Sequence, residues 1–273
     1  CAPIQVNYLG YPGTSGTNYL DYIIADKIII PKESHKYYSE KIVYLPDAYQ
    51  ANDSTKKVSE KVFTREELGL PKNGFVFCCF NNNYKITPHV FDVWMSILNR
   101  VENSVLWILS EDINISKNLK NEARLRGVDF NRIVFAERIK MNEHLARQKV
   151  ADLFIDTFPY TGHTTTSDAL WVGLPVITRI GKSFASRVSA SLLKAIGLSE
   201  LVASSEKEYE DLAIELATNS PKLKKIKNKL KYNKNTKLLF NTQIFARNIE
   251  KAYSSMHERY LKNLPFDNIE INN

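Results

Sequence analysis

Cysteine is scarce in this chain: three residues in 273, two of them adjacent at Cys78 and Cys79 inside an apolar run. That number and spacing make neither a disulfide framework nor a zinc site. They read as buried free thiols of a reducing, cytoplasmic compartment. No apolar run reaches the length of a membrane-spanning helix, so no membrane is expected as a partner, and no signal peptide opens the chain. The sequence begins without Met, at Cys1-Ala-Pro-Ile4, already entering a strand, and is read as a fragment whose upstream part is missing. The Gly-x-Gly-x-x-Gly of dinucleotide folds and the Gly-Lys-Ser/Thr of a P-loop are absent. No Asp-x-Asp occurs, which removes the usual carboxylate-held divalent metal. His35, His89 and His257 have no partners at ligand or triad spacing and read as structural. There is no internal repeat.

What is present suits a globular protein. The length is enough for one large domain or two small ones with a substantial core, and 44% hydrophobic with 25% charged residues is ordinary. The net charge is +7 and the pI about 9.1. Much of the excess lies in one block, Lys222 to Lys237, on an amphipathic segment. It reads as a solvated helix face in preference to a nucleic-acid patch, so no nucleic-acid partner is expected. The milder implication is a surface tolerant of anionic substrates such as sugar nucleotides.

Apolar runs and turn residues divide the chain. Ile4–Leu9 alternates like a strand, and Gly10-Tyr-Pro-Gly-Thr-Ser-Gly16 follows as a glycine-rich loop, either a tight turn or a ligand contact. Tyr22–Ala25 and Lys41–Leu45 are strands; Ile28–Ile30 continues the apolar character of the first, and a short polar helix spans 32–40. Residues 47 to about 60 lack periodicity and read as a linker. Strands are then expected at Phe75–Phe80, Ser104–Leu109, Arg132–Phe135, Ala151–Asp156, Val176–Thr178 and Leu201–Ala203. Helices alternate with them: one starting at Thr87-Pro88 with Val90, Val93, Trp94, Ile97 and Leu98 as its buried stripe, then 118–126, 142–149, 167–172, 186–196 and 206–216. A long basic helix and a last helix, 242–260, complete the chain. Alternation over 75–217 predicts a doubly wound parallel sheet. Ligands of such sheets bind beyond the strands' carboxyl ends, where the loops after Phe80, Phe135 and Ile155 open.

Candidate residues cluster in those loops. Phe158-Pro-Tyr-Thr-Gly-His-Thr-Thr-Thr-Ser-Asp168 crowds hydroxyls at a helix N-terminus, whose unpaired N–H groups and positive dipole end form a seat for phosphate. Lys85 closes the Asn81-Asn-Asn-Tyr-Lys85 loop, either as a mobile charge over a phosphate or as an ordinary surface lysine. His144 and Arg147, three apart on one helix face, can stack on and hydrogen-bond a base, or simply face solvent. Asp168 shares a face with Thr164. It can accept from ribose hydroxyls or compensate the helix dipole.

Several separate motifs occur in one order: Leu9-Gly-Tyr-Pro-Gly-Thr-Ser-Gly16, Phe80-Asn-Asn-Asn-Tyr-Lys-Ile86, Glu143-His-Leu-Ala-Arg147, Gly162-His-Thr-Thr165 with Asp168, Leu170-Trp-Val-Gly-Leu-Pro175 and Phe184-Ala-Ser-Arg-Val188. Together they resemble the catalytic region of protein O-linked N-acetylglucosaminyltransferases, the family that includes the SPINDLY-type proteins. The resemblance covers nearly the whole chain and is to a bacterial-type member, because no large insert separates Tyr44-Leu-Pro46 from the Phe75 strand.

The resemblance implies an α/β fold of GT-B type: a Rossmann-like doubly wound C-terminal lobe plus the last part of a second Rossmann-like lobe. Residues 1–55 would be the remnant of the N-terminal catalytic lobe, 56–64 a linker, 65–241 the nucleotide-sugar-binding lobe, and 242–273 a terminal helix crossing back, with a tail. It implies that Lys85 contacts the diphosphate and supports the leaving group, and that Thr164 and Thr165 bind phosphate with His163 beside them. Asp168 would hold the ribose, His144 would stack on uracil, Arg147 would lie near the base, and Asn82 stands where animal members have Gln. Leu9, Gly10 and Pro12 would lie near the donor sugar. Met141 departs from the pattern, since animal members carry Lys there. The implied reaction is inverting, metal-independent transfer of N-acetylglucosamine from UDP-GlcNAc, the co-substrate, to Ser or Thr hydroxyls of an acceptor protein, with no cofactor. An O-fucosyl- or glucosyltransferase on the same scaffold and a truncated non-catalytic nucleotide-binding lobe are the alternatives. The early N-terminal-lobe histidines and the tetratricopeptide repeats that present acceptors are missing, so the chain alone is expected to be inactive.

Overall fold

The computed structural model describes residues 2–272, leaving Cys1 outside the described residues. A first group of short strands, β1 (Val6–Asn7), β2 (Tyr22–Ala25) and β3 (Lys41–Tyr44), pairs in parallel. The apolar Ile28–Ile30, expected to prolong β2, turns instead. Asp26 Oδ1 accepts from the N–H groups of Ile28 and Ile29, both at 2.9 Å, and bends the chain before another strand residue can pair.

After residue 74 strands and helices alternate: β4 (Phe75–Cys79), α1 (Pro88–Arg100), β5 (Ser104–Leu109), α2 (Ile113–Leu125), β6 (Ile133–Ala136), α3 (Met141–Arg147), β7 (Leu153–Ile155), α4 (Thr164–Val172), β8 (Val176–Arg179), α5 (Val188–Ala195), β9 (Val202–Ala203) and α6 (Glu206–Thr218). The six strands form one parallel sheet in the order β6-β5-β4-β7-β8-β9. Helices cover both faces, which is why β4, β5 and β7 read as unbroken apolar runs. The strand order reverses between β4 and β7. Ligands of doubly wound sheets bind at such a switch point, beyond the carboxyl ends of the two strands.

Two helix starts differ from expectation. α2 begins well before residue 118, because Asp112 caps it, its Oδ1 accepting from the N–H of Asn114 at 2.7 Å. α4 begins at Thr164, where β-branched threonines argue against helix; Ser167 N–H donates to His163 carbonyl at 3.1 Å and closes the first turn. The basic helix α7 (Ser220–Thr236) buries Leu223, Ile226 and Leu230, and Lys222, Lys227 and Lys229 face outward to pair with Glu215, Asp152 and Glu200, whereas Lys234 folds over Trp171 and donates to its carbonyl at 2.9 Å.

α8 (Thr242–Leu261) then lies on the small sheet, its Ala252 and Met256 packing with Tyr22, Ile24 and Val43. Beyond it β10 (Ile269–Glu270) adds a fourth parallel strand beside β3, an element too short and too polar to read from sequence. The other face of the small sheet, through Ile23, Ala25, Ile42 and Tyr44, joins the core of the large one. Asp26, fully buried, ties them further by accepting from Ser191 Oγ at 2.6 Å and Tyr49 N–H at 2.9 Å. Cys78 and Cys79 are buried free thiols, and burial raises both well above the ordinary thiol range. No described helix is long and apolar enough to cross a membrane.

Candidate functional site

At the switch point lies a cleft of about 320 Å³ walled by Phe80, Asn82 and Leu109 on one side, Arg138, Met141, His144 and Arg147 on a second, and Thr164, Thr165 and Asp168 on a third. Six of the sequence-selected residues, Asn82, His144, Arg147, Thr164, Thr165 and Asp168, are therefore brought together. They come from three stretches of chain: the loop after β4, the helix α3, and the start of α4 after β7.

The base-sized end is apolar and aromatic. Phe80, the residue after β4, meets His144 edge-to-face with ring centroids 5.0 Å apart, and meets Trp107 in the same way at 5.0 Å. Arg147 is buried and donates from Nε (3.1 Å) and Nη2 (2.8 Å) to His144 Nδ1, and from Nη1 to the Glu137 carbonyl (2.7 Å). A guanidinium has no acceptor, so Nδ1 must accept and the neutral ring carries its proton on Nε2. Burial, together with the charges of Arg147 and Arg138, pulls the His144 ring down to about 4. The result is a neutral, tautomer-fixed plate with one donor, a surface suited to a planar base.

The opposite end is built for an anion. His163 caps α4 without a side-chain cap bond, and the N–H groups of Thr164, Thr165 and Thr166 have no carbonyl in the preceding turn to bond. His163 Nε2 is itself buried and without a hydrogen-bond partner. Burial and the nearby Lys85 charge pull this ring down to about 4, against a backbone bond with Ala185. Lys85 stands in the short turn after Asn82, its Nζ 2.9 Å from the Thr161 carbonyl and 3.9 Å above the Tyr160 ring. Burial pulls its ammonium down, and the charge of Asp156 pulls it back up. Among the described residues no three His, Cys, Asp or Glu side chains converge to hold a metal.

Two residues that hold this end together, Asp156 and Asn81, are not among the candidates selected from sequence. Asp156 Oδ1 accepts from Asn81 Nδ2 (2.8 Å), Thr157 N–H (2.9 Å) and Gly162 N–H (2.7 Å), and its Oδ2 accepts from Thr178 Oγ1 (2.7 Å). Asn81 in turn accepts from Thr165 Oγ1. The Thr165 hydroxyl is thus engaged inward, which leaves its backbone N–H, not its side chain, to face an anion. Gly162 admits no side chain: a Cβ there would stand 2.9 Å from Thr165 Oγ1 and 3.1 Å from Asn81 Oδ1.

Leu9, Gly10 and Pro12 do not line this cleft; their loop approaches from the small sheet, where the Tyr11 phenol acts on Tyr160. Leu9 takes the left-handed backbone conformation, φ 58, and is half-exposed, a strained arrangement for a branched residue. The loop is pinned by Glu40, which accepts from Ser15 N–H (2.7 Å), Ser15 Oγ (2.8 Å) and Thr14 Oγ1 (2.5 Å). Burial pushes the Glu40 carboxyl up, but these bonds outweigh it and hold it at about 2.

His144 in the cleft and His163 at the start of α4 should both stay neutral across the physiological range. Their folded values lie below the ordinary 6.5, so the associated stability is complete above about pH 6.5 and is lost as pH falls through about 4. Histidine ring proton shifts followed by NMR are expected to show two rings without an inflection between pH 5 and 8. A midpoint near 6.5 for either ring would contradict the burial described here.

Comparison with known proteins places this geometry. The profile of glycosyl transferase family 41 matches residues 1–62 and 50–249. The chain is 38% identical over 261 residues to the Arabidopsis thaliana protein named probable UDP-N-acetylglucosamine–peptide N-acetylglucosaminyltransferase SEC, covering 93% of this chain and 27% of that one. A Caenorhabditis elegans UDP-N-acetylglucosamine–peptide N-acetylglucosaminyltransferase is 26% identical over 382 residues, with 99% of this chain and 33% of the relative covered. The chain thus spans about a quarter to a third of the length of these curated relatives. The structure of a mutant Thermobaculum terrenum O-GlcNAc transferase superposes with a TM-score of 0.85 at 30% identity, over 93% of this chain and 48% of that one. Anabaena HepE, solved with UDP and glucose, shares the fold alone, at a TM-score of 0.58 and 14% identity. The architecture is of GT-B type, a Rossmann-like parallel sheet with part of a second one. The chain belongs to glycosyl transferase family 41.

Proposed function

We propose that the cleft binds the nucleotide of UDP-N-acetylglucosamine and that the protein transfers the sugar, with inversion, to Ser or Thr hydroxyls of an acceptor protein. The observation that carries this reading is the pairing, in one cleft at the switch point, of a neutral aromatic plate (Phe80, His144) with an unpaired helix N-terminus flanked by Lys85. In this reading uracil lies on His144 near Arg147, Asp168 takes the ribose, and the diphosphate meets the N–H groups of Thr164 and Thr165 beside Asn82 and His163. The acceptor oxygen attacks the anomeric carbon, the bond to the diphosphate oxygen breaks, and negative charge builds on UDP. Donors fixed in advance at that oxygen are what lower the barrier. Lys85 and the α4 terminus would supply them without a divalent metal.

Leu9, Gly10 and Pro12 would border the sugar from the opposite side, on a loop that Glu40 holds rigid. Residues 65–241 would bind the nucleotide, with 1–55 contributing from the facing lobe, 56–64 joining them and 242–273 crossing back. The much greater length of the relatives supports a companion region; in this reading that region would hold tetratricopeptide repeats that present the acceptor, and the protein would act in the cytoplasm. Calorimetric titration of the full-length protein with UDP and GDP tests the donor. UDP is expected to bind at least about 10-fold tighter, a difference of about 1.4 kcal/mol; preference for GDP would replace the donor assignment by a fucosyl donor on the same scaffold.

A further inference from the structure

Residues between the two sheets do more than join them. The stretch from Asn52 to Ser59 runs from α4 to α3, the two helices that carry the second and third walls of the cleft. Ser167 Oγ donates to Asn52 Oδ1 at 2.6 Å, and Trp171 Nε1 donates to the Lys56 carbonyl at 3.2 Å. Ser59 N–H donates to the Asn142 carbonyl at 3.0 Å, beside the cleft residue Met141. The strap is therefore sewn to α4 at two points and to α3 at a third. Between the two α4 anchors the Lys56 ammonium pairs with Asp168 Oδ1. Asp168 is 4% exposed and lies in the cleft wall. Among the described residues no side chain donates to its Oδ2.

A nearly buried ion pair adds little net stability compared with apolar packing, so stability alone is a weak reason for this arrangement. Its place is informative. Asp168 lies four residues along α4 from Thr164, which is about 6 Å of helix axis. That is roughly the span from a nucleotide's phosphate to the far side of its ribose. With Oδ1 taken by Lys56, the carboxylate is fixed in rotation. Oδ2 is left to accept from a hydroxyl.

We propose that Lys56 is a positioning residue for the ribose subsite: the strap at 52–59 holds the Asp168 carboxylate, through Lys56, so that its free oxygen accepts from the 2′,3′-diol of a ribonucleotide. The inference rests on the nucleotide-sugar reading above, and it applies equally to a uridine or a guanosine donor. Because the strap also connects the two sheets, the ribose subsite forms only when they are correctly seated on one another.

The test compares UDP with 2′,3′-dideoxy-UDP, by calorimetry on the full-length protein, for wild type, Lys56→Met and Lys56→Arg; GDP and its dideoxy form replace them if GDP is preferred. Wild type is expected to favour the ribonucleotide by about 10-fold, the size of one hydrogen bond to a charged group. Lys56→Met should cut that ratio to about 2-fold through weaker UDP binding, with dideoxy binding unchanged, and Lys56→Arg should restore most of it. A Lys56→Met protein that melts lower but keeps the full ratio makes the pair merely structural and overturns the proposal. Equal weakening of both ligands overturns it too. If wild type binds neither UDP nor GDP, the nucleotide-sugar reading itself falls and takes this one with it.

Discussion

Replacing Lys85 by methionine is expected to lower the turnover number of the full-length protein by about 10²–10³-fold, the usual effect of removing one donor from a developing oxyanion. Melting temperature should change little. The reason lies in what Lys85 does in the absence of a ligand: one bond to the Thr161 carbonyl and a position over Tyr160. Those contacts offset part of the cost of burying an ammonium, and methionine fills similar space without that cost. The loss should appear in kcat and in kcat/KM alike, because the charge is needed most in the transition state. A pH profile adds a sign. Burial lowers the Lys85 ammonium from its ordinary value, so the protonated, active form is lost on the alkaline side earlier than for an exposed lysine. Steady-state rates with UDP-sugar check both statements. An unchanged rate for Lys85→Met would remove Lys85 from the mechanism.

The sequence revealed the large sheet well, and for a physical reason. Central strands of a parallel sheet are buried on both faces, so β4, β5 and β7 appear as unbroken apolar runs that need no partner information to be recognised. Cleft residues on the loops following those strands were equally legible, since topology alone sends such loops to one edge. What stayed hidden depends on contacts distant in sequence. Glu40 looks like a solvated acid in Ser39-Glu40-Lys41, and only its bonds to Thr14 and Ser15, 25 residues or more away, make it the anchor of the glycine loop. Lys56 sits in a stretch without periodicity, and its partner is 112 residues further on. Asp156 ends an apolar strand, which is itself a signal. A carboxylate in such a place survives burial only if donors surround it. α4 starts at Thr164, three residues before the Ser167 expected from sequence, because the His163 carbonyl accepts from Ser167 N–H and closes a turn that no local pattern marks.

Asp156 is where the second large effect is expected. Its carboxylate is completely buried, and four donors from three parts of the chain converge on it: Asn81, Thr157, Gly162 and Thr178. Asp156→Ala leaves those donors buried and unmatched, each at about 1–3 kcal/mol, so the protein is expected to lose a large part of its stability and the α4 loop its shape. Asp156→Asn separates charge from geometry. The amide oxygen can still accept from Asn81, Thr157 and Gly162, and the Thr178 hydroxyl can reverse to accept from the amide nitrogen. Stability should then fall by much less, measured as the midpoint of urea unfolding at constant slope. The electrostatic consequence remains. The Asp156 charge raises the Lys85 ammonium against its burial, so removing that charge lets burial act alone and lowers the ammonium further. The alkaline limb of the rate profile is expected to move to lower pH in Asp156→Asn. A limb that stays in place, or moves to higher pH, would mean that the two groups are not coupled through the α4 loop. The loop would then be held by Asp156 for shape alone.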